Sequence, residues 1–103
     1  MQERQAEALR TAAAQFLARE ANRNNLITVT RVDMRSDGKH ATIYITVLPE
    51  SAEAAALKFA NRNRGELGQF LLKRTKGMRV PALEFAIDLG DKNRRRIDEL
   101  LHQ

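Results

Sequence analysis

Residues 55–79, AALKFANRNRGELGQFLLKRTKGMR, decide how this chain is put together. Before Asn61, the residues Ala55, Ala56, Phe59 and Ala60 recur at helical spacing. After Gly65, Leu67, Phe70 and Leu71 do the same, so each flank can bury one apolar stripe. The stretch between them, Asn61-Arg62-Asn63-Arg64-Gly65, fits neither stripe. Asn and Gly are weak helix formers, and Gly accepts left-handed or otherwise unusual dihedrals without a Cβ clash. The expected result is a helix-kink-helix with Gly65 at the bend and exposed amides beside it. Exposed amides next to arginines suit a phosphate.

The charge distribution points the same way. Residues 61–79 hold Arg62, Arg64, Lys73, Arg74, Lys76 and Arg79 against Glu66 alone, six minus one, a net of +5. The whole chain, with 18 basic and 13 acidic residues, is also +5, so the remainder is balanced. Excess charge gathered in one stretch favours a local polyanion site over a generally sticky surface. A solvated helix face is the alternative against which any charge run is weighed.

Upstream of this stretch, Pro49 closes a β-rich region, and Ser51 with Glu50 or Glu53 nearby marks a capped helix start. The β-rich region is a hairpin: Leu26 to Met34, the turn Arg35-Ser36-Asp37-Gly38, then Lys39 to Leu48. In the second strand Ala41, Ile43, Ile45 and Val47 alternate with Thr42, Tyr44, Thr46 and Leu48, giving one firmly apolar face. In the first, Ile27 and Val29 share one parity and Val32 and Met34 the other, which a bulge near Thr30-Arg31 reconciles. Gln2 to about Asn22 reads as an amphipathic helix with Ala6, Leu9, Ala13, Phe16 and Leu17 on a core-facing side, stopped by Asn22-Arg23-Asn24-Asn25.

Downstream, Gly77 offers a stop. Arg79 to Asp88 forms a third strand, with Leu83, Phe85 and Ile87 facing the core and Pro81 outside the ladder. Asp91 to His102 is a last helix carrying Ile97, Leu100 and Leu101. Its Arg94-Arg95-Arg96 triplet is expected to be solvated, with a second phosphate contact as the alternative.

The order is therefore helix, strand, strand, helix, kink, helix, strand, helix over a single domain of 103 residues. It implies a two-layer α+β fold with helices packed on one face of a three-stranded sheet, and it permits a parallel crossover between strands two and three. The chain has no Cys, which excludes thiolate metal sites, and no apolar run of the roughly 20 residues that span a bilayer. With only His40 and His102, and no P-loop, dinucleotide fingerprint or HExxH, neither an enzyme nor a cofactor is expected. Asp88 with Asp91 reads as strand-end and helix-cap chemistry rather than a metal pair.

Several of these segments resemble one family. Ile27 to Met34, Asp37 and the strand Ala41 to Leu48 look like the hairpin of bacterial ribosome-binding factor A. Arg79-Val80-Pro81-Ala82-Leu83-Glu84-Phe85 with Asp88, and the closing Arg96-Ile97-Asp98-Glu99-Leu100-Leu101, are similar to that family's R-x-P-x-L-x-F-x-x-D and R-I-x-x-L-L patterns. The resemblance implies a type II KH-like fold in which an Ala-x-Gly kink replaces the Gly-x-x-Gly loop of ordinary KH domains. Counting back from Pro81 puts that kink at Asn63-Arg64-Gly65, with Asn63 standing where the family usually has Ala. It further implies a cytoplasmic factor, monomeric off the ribosome, that binds the free 30S subunit through 16S rRNA and assists its late maturation, rRNA processing and cold adaptation. The RNA-binding residues would be Arg62, Asn63, Arg64, Gly65, Lys73, Arg74, Lys76 and Arg79. Another KH-like RNA-binding protein, or a stable ribosomal component, would show the same basic stretch.

Overall fold

The hairpin closes through Gly38, whose φ of +70° is open to glycine at no steric cost. The Gly38 N–H donates to the Arg35 carbonyl at 2.9 Å, and the Lys39 N–H donates to the Asp37 carboxylate at 2.9 Å. This turn joins β1 (Leu26–Met34) to β2 (His40–Leu48) in an antiparallel pair. The computed structural model describes residues 2–20, 25–74 and 79–101. The stops expected at Asn22 to Asn24 and at Gly77, and the site residue Lys76, lie outside the described residues.

The register of β1 shifts between Val29 and Arg31, where the change of hydrophobic parity predicts a bulge. The extra residue, Thr30, turns its hydroxyl to the carboxylate of Asp88, 2.5 Å away, and to the Tyr44 carbonyl at 3.3 Å. β3 (Ala82–Ile87) then pairs with β2 in parallel, from His40 opposite Ala82 to Ile45 opposite Ile87. The result is a mixed sheet in the order β1-β2-β3.

One face of the sheet carries the core. Ala41, Ile43, Ile45 and Val47 of β2 are buried there with Val29, Leu83 and Phe85. Leu9, Ala12, Ala13, Phe16 and Leu17 of α1 (Gln2–Glu20) meet them, as do Ala56 and Ala60 of α2 (Glu53–Arg62) and Leu67 and Leu71 of α3 (Arg64–Arg74). Small alanines let α2 lie close to the sheet, and Phe16 and Phe70 close the gap between α1 and α3 with ring centroids 6.0 Å apart.

The expected Ser51 cap does not form. Residues Glu50–Ala52 make a 3₁₀ turn that runs straight into α2, and no side chain caps the start of either segment. Ser51 therefore sits inside a turn, where its hydroxyl is not at a helix boundary. α4 (Leu89–Leu101) starts earlier than the sequence pattern predicts, because Asp88 caps it: Oδ1 accepts the Asp91 N–H at 3.0 Å and the Asp88 carbonyl accepts the Lys92 N–H at 3.1 Å.

Candidate RNA interface

The break between α2 and α3 is made by Asn63, not Gly65. Asn63 lies at φ −99° and ψ 10°, outside the helical well, and its side-chain Nδ2 donates to the Phe59 carbonyl at 2.8 Å. Its backbone N–H reaches the same carbonyl at 3.1 Å and that of Ala60 at 3.2 Å, while its own carbonyl accepts the Leu67 N–H at 3.1 Å. One residue thus ends α2 and begins α3. Gly65 has no positive φ, and a Cβ built on it meets nothing within 4 Å. The expected special backbone at Gly65 is absent because Asn63 already supplies the bend, leaving Gly65 as an ordinary residue in the first turn of α3.

Asn61 positions this junction. Its Oδ1 accepts the Phe85 N–H at 2.9 Å and its Nδ2 donates to the Phe85 carbonyl at 3.3 Å. β3 is the edge of the sheet, so the outward backbone groups of Phe85 face away from β2. The Asn61 amide satisfies them as a neighbouring strand would. The end of α2 is thereby clamped to the sheet edge, and Arg62 and Arg64 project beside it, both exposed and without an ion pair among the described residues.

Next to the junction, a cleft of about 730 Å³ runs between the start of α3 and the end of the sheet. Gly65 and Gly68 lie three residues apart on α3 and present bare backbone to it, facing Pro81, Ala82 and Leu83 at the start of β3. Arg64 stands on one rim. Arg35 and His40 stand on another, with Arg35 Nη1 3.2 Å from His40 Nδ1. Asp33 and Glu84 also line the cleft, so its walls carry both signs of charge. Tyr44 adds a phenol ring to the lining, and the Arg31 guanidinium lies over it at 4.1 Å from the ring centroid.

The predicted site residues divide into two groups. Arg62, Asn63, Arg64 and Gly65 come together at the junction. Lys73 and Arg74 are at the other end of α3, about 15 Å along at the usual rise per residue. Arg74 is held to its own domain, donating to Gln15 of α1 and stacking on Phe70 with 4.3 Å from guanidinium to ring centroid. Lys73 and Arg79 are exposed. Arg35, His40 and Gly68 belong to the cleft but not to the predicted set. The parallel register that places His40 opposite Ala82 is the signal that locates the first two.

Among the described residues no three His, Asp or Glu side chains gather to hold a metal ion, and no helix is long and apolar enough to cross a membrane. The buried carboxylate of Asp88 is held below the usual carboxylate range, chiefly by the Thr30 hydroxyl and further by the Asp91 N–H and Arg31, against the opposing effect of burial. Its bonds are to the bulge and to α4, which makes it a joint of the fold rather than part of the cleft.

A small mixed sheet with helices on one face, an interrupted helix pair and a cleft at the interruption define a two-layer α+β domain. The family model described as "Ribosome-binding factor A" matches residues 1–101, and the chain belongs to that family. A ribosome-binding factor A from Halorhodospira halophila is 34% identical over 103 residues, covering 92% of this chain and 82% of the relative. Other matches span as little as 52% of the relative's length, so this chain covers about half of several of the relatives that it matches. The crystal structure of ribosome-binding factor A from Thermus thermophilus superposes with a TM-score of 0.70 at 28% identity, over 80% of this chain and 90% of that one. Coordinates of the Thermus thermophilus factor fitted into a cryo-EM map of its 30S complex superpose with a TM-score of 0.60 at 28% identity, over 77% and 86% of the two chains.

Proposed function

We propose that this chain is a small-subunit assembly factor. It binds the free 30S subunit through 16S rRNA, using the α2–α3 junction and the adjoining cleft, and assists late maturation and rRNA processing. The observation that carries this function is the pair of exposed arginines, Arg62 and Arg64, without an ion pair among the described residues and fixed on a helix break beside an open cleft in a member of the ribosome-binding factor A family. The Thermus thermophilus relative, whose coordinates were fitted into a map of a 30S complex, supports the choice of partner.

Arg62 and Arg64 would contact phosphates, whose exposed guanidinium contacts are salt-sensitive and independent of sequence. The mixed charge of the cleft suits nucleotide edges better than a run of phosphates, since Glu84 repels anions and can accept from base amino groups, as can the oxygen of Asp33 that Arg31 does not hold. Lys73 and Arg79 add exposed basic side chains at the end of α3 and beyond it, and Lys76 remains a candidate contact from the sequence, while the Gln15 and Phe70 contacts of Arg74 leave it less free to join them. The chain acts by binding rather than catalysis, in the cytoplasm, as a monomer off the ribosome, and supports growth in the cold.

Sucrose-gradient fractionation tests the assignment. The protein should travel with free small subunits and be absent from translating ribosomes. Permanent residence in translating ribosomes would instead make it a structural component.

A further inference from the structure

α4 meets its own domain through its charged side. Lys92 Nζ lies 2.6 Å from Glu50 and 3.1 Å from Glu53, and Arg96 Nη2 lies 3.4 Å from Glu50. These contacts lower the pKa of Glu50 and raise that of Lys92. The apolar side points away. Leu89, Ile97 and Leu101 lie on one i+4 ridge with Asn93 between, and Leu100 is beside them. Their exposures are 63%, 55%, 75% and 65% for Leu89, Ile97, Leu101 and Leu100, and no residue of α4 is buried. A surface helix ordinarily turns such a stripe to the core.

We infer that this face docks onto an aliphatic surface of a protein component of the small ribosomal subunit, an inference that rests on the 30S-binding function proposed above. Three features choose that occupant. First, aliphatic side chains offer a phosphate nothing, and the arginines of α4 each have an acid near them that offsets their charge: Arg94 and Arg95 lie 3.6 and 3.7 Å from Asp91, and Arg96 lies 3.4 Å from Glu50. Asp98 and Glu99 carry no ion pair among the described residues, so the far end of the helix has no free positive excess to draw RNA.

Second, the stripe is small. A 13-residue helix is about 20 Å long, and a ridge about 10 Å wide along it falls well short of the roughly 800 Å² per partner of a stable interface. By itself it cannot hold a second copy or a freely diffusing protein tightly. It can add strongly to a complex that another contact has already brought together, because the second contact is then intramolecular.

Third, the two surfaces are placed for simultaneous use. β2 runs from His40 at the cleft to Val47 and Leu48 beside Lys92, Arg95 and Arg96 of α4, roughly 25 to 30 Å at the usual strand rise. RNA at one end of the sheet therefore leaves the other end open to a protein.

The test compares wild type with Ile97→Ser/Leu101→Ser, and with Ile97→Glu/Leu101→Glu, on intact small subunits, on protein-free 16S rRNA and in sedimentation velocity. Both variants should melt within a few degrees of wild type by circular dichroism, since Ile97 and Leu101 are exposed. The Ser variant should bind intact subunits at least ten-fold more weakly, bind the free rRNA as wild type does, and sediment as a monomer like wild type. Unchanged binding of a folded variant to subunits overturns the inference while leaving the RNA function standing. An equal loss on protein-free rRNA would make α4 an RNA contact, and a wild-type dimer abolished by the substitutions would make the occupant a second copy. Either outcome overturns the proposal. Wild type that binds neither subunits nor rRNA overturns the underlying function, and this inference with it.

Discussion

The α2–α3 junction and α4 are both rich in arginine, yet the structure uses the two sets in opposite ways. At the junction, Arg62 and Arg64 make no ion pair among the described residues, not even with Glu66 in the same turn. On α4, Arg94 and Arg95 find Asp91 three and four residues back, and Arg96 reaches across to Glu50. A run of positive charge is thus a poor guide by itself. What separates a ligand site from a self-neutralised surface is whether an acid sits at i−3, i−4 or on the neighbouring element, and only the first two can be read from sequence.

The sharpest way to break this contrast is to neutralise each set. Arg62→Gln with Arg64→Gln should weaken binding to small-subunit RNA about ten-fold or more. It should also flatten the log–log salt slope by about 0.7 to 0.9 for each phosphate that no longer meets a guanidinium. Arg94, Arg95 and Arg96 changed together to Gln should leave the slope nearly unchanged. Filter binding across a salt series measures both, and equal slopes for the two variants would erase the distinction.

Asp88 supplies the next largest effect, this time on stability, because it fastens α4 to the sheet. Asp88→Asn keeps an oxygen for the Asp91 N–H but loses the charge, and with it the charge-assisted bond from the Thr30 hydroxyl and the attraction to Arg31, which should cost about 1 to 3 kcal/mol in urea unfolding. Its pKa is lowered in the folded state, so the carboxylate stabilises fully above the unfolded value near 4 and that contribution is lost as pH falls through the folded value. The gap between wild type and variant should therefore be constant near neutrality and shrink below about pH 4. A gap that widens on acidification would refute the sign.

How far these features were legible depends on the range of the interaction behind each. The bulge at Thr30 is visible because parity along β1 changes there, a local signal. The alternating face of β2 and the apolar stripes of α1, α2 and α3 are equally local. The bend is placed within two residues but assigned to Gly65, since propensity ranks Asn and Gly alike as poor helix formers and cannot see that the Asn63 amide reaches Phe59. Arg35 and His40 belong to the cleft only through the parallel pairing of β2 with β3, which joins segments far apart along the chain. The stripe of α4 is plain in sequence, but its outward direction follows from Glu50 and Glu53, which lie on another element.

Asn61 tests the clamp that holds the junction. Asn61→Ala leaves the Phe85 N–H and carbonyl without their partner on a partly buried edge, which should cost about 1 to 2 kcal/mol. Hydrogen exchange should accelerate at the Phe85 amide more than at the Ala86 amide, which faces β2. Uniform acceleration across β3 would mean that Asn61 supports the whole sheet rather than this edge.

The smallest expected effect concerns Gly65, and it has the opposite sign. Gly65 lies in the first turn of α3 without a positive φ, and a Cβ there meets nothing within 4 Å, so Gly65→Ala removes backbone freedom from the unfolded chain without adding strain. It should stabilise the protein by up to about 1 kcal/mol, a rise of a few degrees in the melting temperature. The same substitution adds a methyl to the wall of the cleft, and Gly65→Leu adds an isobutyl group. If the cleft receives part of the RNA, affinity for small subunits should fall from Gly to Ala to Leu while the melting temperature does not fall with it. If only the rim arginines matter, all three proteins should bind alike. A loss of stability in Gly65→Ala would contradict the open surroundings of this residue and return the bend to Gly65.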